Sequence, residues 1–522
     1  MNLLVDRWIP VKRKSGSADM ISPWQITESD DPVVDVNAVR PDFNGALLQF
    51  FIGLLQTVAP PQDFDSWVDW LEEPPAPELL KKRMERFRGV FNLDGPGPKF
   101  MQDFDELDVD DYNPISALLL DTPGENAIKK NTDHFVKREK KPAFCPACAA
   151  TALFTLQINA PSGGQGHRVS LRGGGPLTTL VTLDPEGSAL EDTLWRKIWL
   201  NVVEEEIAMT MTGNRAKKEL ADKFPWMGPT RTSEKETGRK TTPAHCHPLQ
   251  MYWGMPRRIQ IEWQDNITGS CAVCGEYSDD LICRYKTKNF GVDYSGPWQH
   301  PLTPHTVRNN GEVIPVHAQE NGLTYHHWQP FTLGTDSCRP ALVVRRYTTR
   351  VKEDEEQLRL HVFGYDMDNM KARCWYETTY PLYLIPVSIH TDFSLRTDAM
   401  TEAAEMAAGI LRKSVKEAWF KRPGDAKGRT DFLVQIFYQH TEQQFYRTVE
   451  TLIAAIAEDE DRAVLQDWFN ILRRAGMQLF DYWAEQGDIG QADPRRIASA
   501  RKKMLNAING KKIRKLLQVQ VA

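Results

Sequence analysis

Two Cys-x-x-Cys pairs constrain this chain more than any other feature. Cys145 and Cys148 stand in "FCPACAAT", and Cys271 and Cys274 in "SCAVCGEY", about 120 residues further on. Such a knuckle folds its backbone so that amides point at the sulfurs. Gly275, directly after the second pair, tolerates the positive φ this turn favours. Two thiolates cannot complete a tetrahedral shell, whereas four at about 2.3 Å suit zinc. The long separation rules out a compact finger. The expected object is a clamp joining distant segments, structural because four thiolates leave no open coordination position. Two other readings stay open: four reduced core cysteines, or one knuckle paired with His245, Cys246 and His247 of "HCH". Cys283, Cys338 and Cys374 read as small buried hydrophobes.

With 522 residues the chain can form two to four domains with real cores. The net charge of −6 argues against coating nucleic acid by bulk charge, but leaves room for local basic patches. "MNLLVDRWIPV" has Asp6 and Arg7 inside its apolar run and is no signal peptide. The segment Asn44 to Ala59 is too short and interrupted to span a bilayer and reads as a buried helix. Eight cysteines without a secretory signal point to a reducing cytoplasm.

Along the chain, a hairpin-like β start leads into that buried helix, and "SGGQGHRVSLRGGGP" must form loops. "LTTLVTL" alternates as a strand, and Thr230 to Pro248 is polar enough for a surface insertion. Short strands are expected from 250 to 390, in "RRIQIEW", "ALVVRRYTT", "LRLHVFGY" and "YPLYLIPVSI". Near His390 the period changes. Met406, Ala407, Ile410, Leu411, Ala418 and Trp419 recur as one helix face, and similar stripes follow from Phe445 and from Trp468. Asp493 and Pro494 suit the start of a fourth helix. The expected class is α+β: a mixed α/β domain over 1–390 carrying the clamp, then a four-helix bundle over 391–522.

The segments beside the knuckles suggest a polyanion. A basic run spans Lys129 to Lys141, the glycine loops follow Cys148, and "CRYKTKNF" interleaves Arg284, Lys286 and Lys288 with Tyr285 and Phe290. The clamp is expected to gather these three segments into one neighbourhood, where amides and cations attract phosphates. "GGQGHRV" lacks the Gly-Lys-Ser/Thr ending of a phosphate-binding loop, and no strand-to-helix unit of dinucleotide type surrounds it. Catalytic patterns are missing: Asp366 and Asp368 lie close together, but no further carboxylates complete a metal nuclease. The chain reads as a binder and not as an enzyme. From Gly490 onward nine Lys/Arg face one acid, so Arg495, Arg496, Arg501 and Lys502 are candidates for a nucleic-acid backbone. The alternative is a basic face docked on the bundle's own acidic stretch, Ala457 to Arg462.

"MNLLVDRWIPV", "CPAC" before "ATALF", "APSGGQGHRVSLRGGGPLTTLV", "CAVCG", "GPWQHPLTP" and "GYDMDNMKARCWYE" occur in this order. Together they resemble the large subunit of the type I-E CRISPR Cascade surveillance complex, the CasA family. The resemblance implies a subunit that reads the protospacer-adjacent motif on duplex DNA through the minor groove. It further implies that the subunit helps open the duplex and docks a helicase–nuclease, within a complex of CRISPR RNA and other Cascade subunits. By position, the family's glycine loop falls on Ser162, Gly163, Gly164, Gln165 and Gly166. Its lysine finger falls on Lys286 or Lys288, with Lys288 favoured for its closeness to Phe290, and its strand-separating wedge on Asp368, Asn369 and Met370. The loop with Asn131, Phe135 and Lys137 matches the one that meets the RNA handle and neighbouring subunits. Two departures stand out: Asn369 replaces the glutamine of the best-known member, and Gln165 interrupts the glycines. A stand-alone zinc-stabilised protein binding RNA or single strands on tryptophan platforms is the alternative. A metabolic enzyme with a structural zinc lacks any catalytic constellation.

Overall fold

Pro41 opens the helix that organises the first part of the chain. This helix, α1 (Pro41–Val58), has Pro in its first turn and Asp42 beside it, which suits the free amides of a helix start. Nearly every side chain from Phe43 to Gln56 is buried, as continuous apolar text requires. Phe50 meets Trp8, Phe91, Phe100, Phe154 and Trp253 edge-on, at centroid distances of 5.3 to 6.2 Å. Trp67, Trp195, Trp199, Trp226 and Trp253 are also fully buried. The tryptophans that a stacking platform would need are largely spent on the core.

The structure is a computed structural model. It describes all residues except 123–141, 237, 265–266, 321, 351–355, 369–370, 426–427, 487–492 and 521–522, and the side chains of 348, 349 and 356. The chain divides into two compact units: Met1–Ala318 with Asp336–Thr379, and Gln319–Thr335 with Tyr380–Ala522.

In the first unit, β1 (Ile9–Arg13), β2 (Ala18–Ile21) and β3 (Val33–Val36) form a sheet in the order β2-β1-β3, the hairpin start expected. Helix α2 (Pro146–Asn159) follows the first knuckle, and β4 (Thr178–Ser188) is the "LTTLVTL" strand. Next come β5 (Arg258–Glu262), the two-residue arms β6 (Gly269–Ser270) and β7 (Tyr277–Ser278), and β8 (Arg284–Lys288). β8 pairs antiparallel with β5, Lys288 opposite Arg258. The hairpin β9 (Glu356–Asp368) and β10 (Lys371–Leu382) completes a sheet in the order β10-β9-β4.

"ALVVRRYTT", expected as a strand, is instead helix α3 (Leu342–Arg350). Val343, Val344, Tyr347 and Arg350 are buried at helical spacing, and Arg350 closes on Glu204 at 2.7 Å. Burial of one face outweighs the β preference of its branched residues. The last expected strand stops at Leu382, ahead of Pro386.

The second unit is helical: α4 (His390–Trp419), α5 (Phe432–Ala457), α6 (Asp461–Glu485), α7 (Pro494–Ile508) and the short α8 (Lys511–Leu517). α4 packs against the other four. Its buried face is drawn from Ala403, Ala404, Ala407, Ala408 and Leu411, while Met406 and Ile410 are half-buried. Small side chains let the neighbouring helices approach. Asp493 accepts from the Arg495 and Arg496 amides at 2.9 and 3.2 Å, the cap expected. This unit also recruits Gln319–Thr335, which carried no sequence signal of membership. There Tyr325 stacks on Phe445 at 4.3 Å and shares a 2.9 Å hydrogen bond with Thr441. Among the described residues no helix is long and apolar enough to cross a membrane.

Candidate metal clamp and nucleic-acid interface

The two knuckles meet. The Sγ atoms of Cys145, Cys148, Cys271 and Cys274 all lie within 4.8 Å of one another, and Cys145 and Cys274 are 3.9 Å apart. A tetrahedron with arms of about 2.3 Å has edges of about 3.8 Å, so the donor set fits a metal ion. Cys145 caps α2: its sulfur accepts from the Cys148 amide at 3.5 Å, while Cys271 accepts from the Val273 amide at 3.4 Å. Gly275 takes φ +81°, as the turn demands. Hydrogen bonds to Cys145 and Cys271, together with burial, hold the Cys148 thiol far above its ordinary range. Four thiols this close cannot all ionise without a cation, and metal binding would displace their protons. In a four-thiolate shell each sulfur would be a ligand, with none left over for chemistry.

The alternative ligands are engaged elsewhere. His245 accepts the Thr242 amide at 3.0 Å, His247 accepts the Leu249 amide at 3.1 Å, and Cys246 lies in an apolar cluster with Leu171, Met251 and Trp298. Cys338 is buried and Cys283 partly so. Cys374 is exposed on β10 and is not the buried hydrophobe expected.

Of the three segments the clamp was expected to gather, the basic run to Lys141 lies outside the described residues, the start of "CRYKTKNF" adjoins the clamp, and the glycine loop lies at the other end of α2. The clamp binds the N-terminus of α2 to the hairpin before β8, where Phe144 and Ile282 exchange amide bonds of 2.9 Å. Helix α2 then runs 14 residues, about 21 Å, before the glycine loop begins. β8 ends at Lys288, and two residues on the Phe290 amide donates to Gly166 O at 2.8 Å. Helix and strand are therefore tied at both ends, by the Phe144–Ile282 bonds beside the candidate metal ligands at one and by the Phe290–Gly166 bond at the other.

At that far end each glycine has a reason. Gly166 has φ +79°, and a Cβ there would stand 2.9 Å from Asn289 Cβ and 3.0 Å from the Phe290 nitrogen. At Gly163 a Cβ would meet His167 Cβ at 2.6 Å and Arg257 Nη1 at 3.0 Å. Ser162, Gly164 and Gln165 form the exposed tip. Lys288 is exposed and pairs with no acid among the described residues, whereas Lys286 lies over the Tyr112 ring at 5.5 Å beside Arg284. The second glycine run leads to the hairpin: Gly174 packs on Pro161, and a Cβ at Gly175 would stand 2.7 Å from Met367 Cγ. Asp366 and Arg373 form a bidentate pair at 2.7 and 2.9 Å near the tip, and Asp368 is exposed. Asn369 and Met370 lie outside the described residues, as do Asn131, Phe135, Lys137 and the basic run to Lys141.

In the helical unit, Arg495 and Lys502 are exposed. Arg496 donates to Ala418 O at 3.0 Å and so caps α4. Arg501 pairs with Asp481 at 2.6 and 2.8 Å, not with the acidic stretch at Ala457 to Arg462. Sequence reasoning passed over Arg257, the residue beneath the glycine loop. Its signal was the doubled arginine of "MPRRIQ", where Arg258 alone meets a carboxylate, Asp103, at 2.6 Å.

A four-cysteine cluster in an α+β unit, together with a helical unit, defines the class of fold. The family model of CRISPR-associated protein Cse1 matches residues 2–479. The chain belongs to the Cse1 family. Its fold is similar to Cse1 of Thermobifida fusca, with a TM-score of 0.72 at 16% identity, covering 100% of this chain and 99% of that one. CasA (Cse1) of Thermus thermophilus matches with 0.64 at 18% identity, covering 99% of each chain. A chain of a CRISPR RNA-guided surveillance complex matches with 0.63 at 14% identity, covering 98% of this chain and 99% of that one.

Proposed function

We propose that this protein is the non-catalytic DNA-recognition subunit of a type I-E CRISPR RNA-guided surveillance complex. The observation that carries the reading is the Phe290 to Gly166 bond, which joins an exposed glycine loop to a strand ending in an exposed lysine that pairs with no acid among the described residues. Backbone groups of 162–166 would approach the minor groove, and Lys288 would reach an acceptor on a base edge. The minor groove presents a degenerate pattern, so several motif variants should be accepted. The tip Asp368, Asn369 and Met370 would enter below the motif, the methionine unstacking a base step as apolar wedges do.

The family and the surveillance-complex likeness support a reading in which the partners are CRISPR RNA with other Cascade subunits, met through Asn131, Phe135 and Lys137, together with duplex target DNA and a helicase–nuclease that would dock on the assembled complex in the cytoplasm. Arg495 and Lys502, with Arg496 and Arg501 behind them, would follow a strand backbone. The clamp ion is zinc, held by Cys145, Cys148, Cys271 and Cys274. Zinc contributes structure and no reaction step; the cysteines fix the far ends of α2 and β8.

The test is Lys288→Ala in the guide-loaded complex, with duplexes varied only at the pairs flanking the guide match. Loss of discrimination among those pairs, with guide-matched single strands still bound, is expected. Discrimination retained by Lys288→Ala would remove the finger from the reading.

A further inference from the structure

Two buried arginines carry acids, Arg258 with Asp103 and Arg350 with Glu204, as does the half-buried Arg40 with Asp42 and Asp121. Arg257 has none among the described residues. Its guanidinium is mostly covered, its Nε makes no hydrogen bond, and its Nη2 donates to Pro161 O at the root of the glycine loop. Its main chain is fixed on both sides by Gln157, through bonds of 3.0 Å at N and O. Its Nη1 lies against Gly163, where a Cβ would come within 3.0 Å, and makes no hydrogen bond among the described residues. Its titratable neighbours His167 and Tyr285 offer no negative charge at neutral pH: burial, and then Arg257 itself, hold the His167 pKa down, and burial pushes the Tyr285 phenol up to about 12.

A cation placed in low dielectric without a counter-charge costs several kcal/mol. Bracing Pro161 needs only a neutral donor. Arg172 shows the other solution: fully buried and also without an acid, it is surrounded by the neutral oxygens of Gln49, Thr178 and Thr303 at 2.6 to 3.1 Å. Among the described residues Arg257 lacks such a shell, and its Nη1 faces Gly163. Glycine at 163 leaves the approach to that nitrogen open.

We propose that Arg257 is a phosphate receptor, donating from Nη1 past Gly163 to one backbone phosphodiester of the nucleic acid that the glycine loop engages. This rests on the reading of that loop as a duplex-DNA contact, and adds to it a fixed phosphate that sets the register of the loop in the groove. The contact is electrostatic and sequence-blind, so it positions without reading bases. A guanidinium held by its own loop also reaches the phosphate with little rotamer freedom left to lose.

The experiment uses the guide-loaded complex containing the full chain, with Arg257→Gln and Arg257→Lys. Affinity for motif-bearing duplex is measured from low to moderate salt. Arg257→Gln should lower the slope of log affinity against log salt by about 0.9, the value for one phosphate. Affinity should fall alike for every flanking sequence. Arg257→Lys should retain most of the slope, because the charge remains. A scan of duplexes with single neutral methylphosphonates near the motif should find one position that weakens the unaltered complex and is silent in Arg257→Gln.

An unchanged slope in Arg257→Gln, or no such position in the scan, overturns the proposal. If Arg257→Gln fails to assemble, the scan on the unaltered complex and on Arg257→Lys decides: a single sensitive phosphate, weaker in Lys, supports it, and none overturns it. Failure of the underlying reading is a separate result, in which the unaltered complex ignores the flanking pairs altogether.

Discussion

Gly164 and Gly166 both take positive φ, yet they should respond differently to a methyl group. Gly164 has open space around it, so Gly164→Ala carries only the left-handed backbone cost, about 1–2 kcal/mol. Gly166→Ala adds contact with Asn289 and the Phe290 amide, which must move. We expect Gly166→Ala to lose more stability in denaturant titration and to release the Phe290 amide to hydrogen exchange, while Gly164→Ala leaves it protected. Equal effects would contradict the packing account. At this scale the sequence was informative about the cysteines, because a two-residue spacer and a following glycine belong to one local turn. It said nothing of Arg257, whose meaning comes from the carboxylate it does not have.

Because α2 and β8 are joined at both ends, a metal ion at the clamp could matter about 20 Å from the loops proposed to face DNA. Thiolate coordination of this kind is worth roughly 10 kcal/mol, enough to hold segments that bury little apolar surface. Cys271→Ser should therefore weaken binding of motif-bearing duplex by the complex without touching a DNA-contacting residue. Binding unchanged in a variant shown to be metal-free would sink that link. Stripping the metal with a strong chelator should raise exchange at 143–150 and 269–283, while the core amides of α4 to α6 stay protected. Elements were legible where one pattern dominated: continuous apolar text for α1, alternation for β4, a cap with proline for α7. "ALVVRRYTT" misled because β-branched residues suit a strand locally, while the partners that bury one face of α3 are distant in sequence.

For the whole molecule, folding removes several histidines from water. Burial, and then nearby cations, lower His247 and His305 to about 4. Both are neutral when folded, and the unfolded chain takes up protons as the pH drops through about 6.5. The unfolded state then binds more protons, so stability should be flat above about pH 7 and fall between about 6.5 and 4. Urea midpoints at pH 7.5 and 5 measure this, and equal midpoints would contradict the buried, neutral assignment. The division into units was only partly legible. The helical texture was plain from His390, but Gln319–Thr335 joins that unit through Tyr325 and Trp328, which reveal their partners only in three dimensions.

The most direct measurement of the central claim is duplex-DNA binding by the guide-loaded complex, with and without this chain, on targets differing only in the few pairs beside the guide match. Tight binding that needs both this chain and particular flanking pairs is the predicted result. Binding that is the same whatever the flanking sequence would contradict it, and would leave general strand binding as the better description.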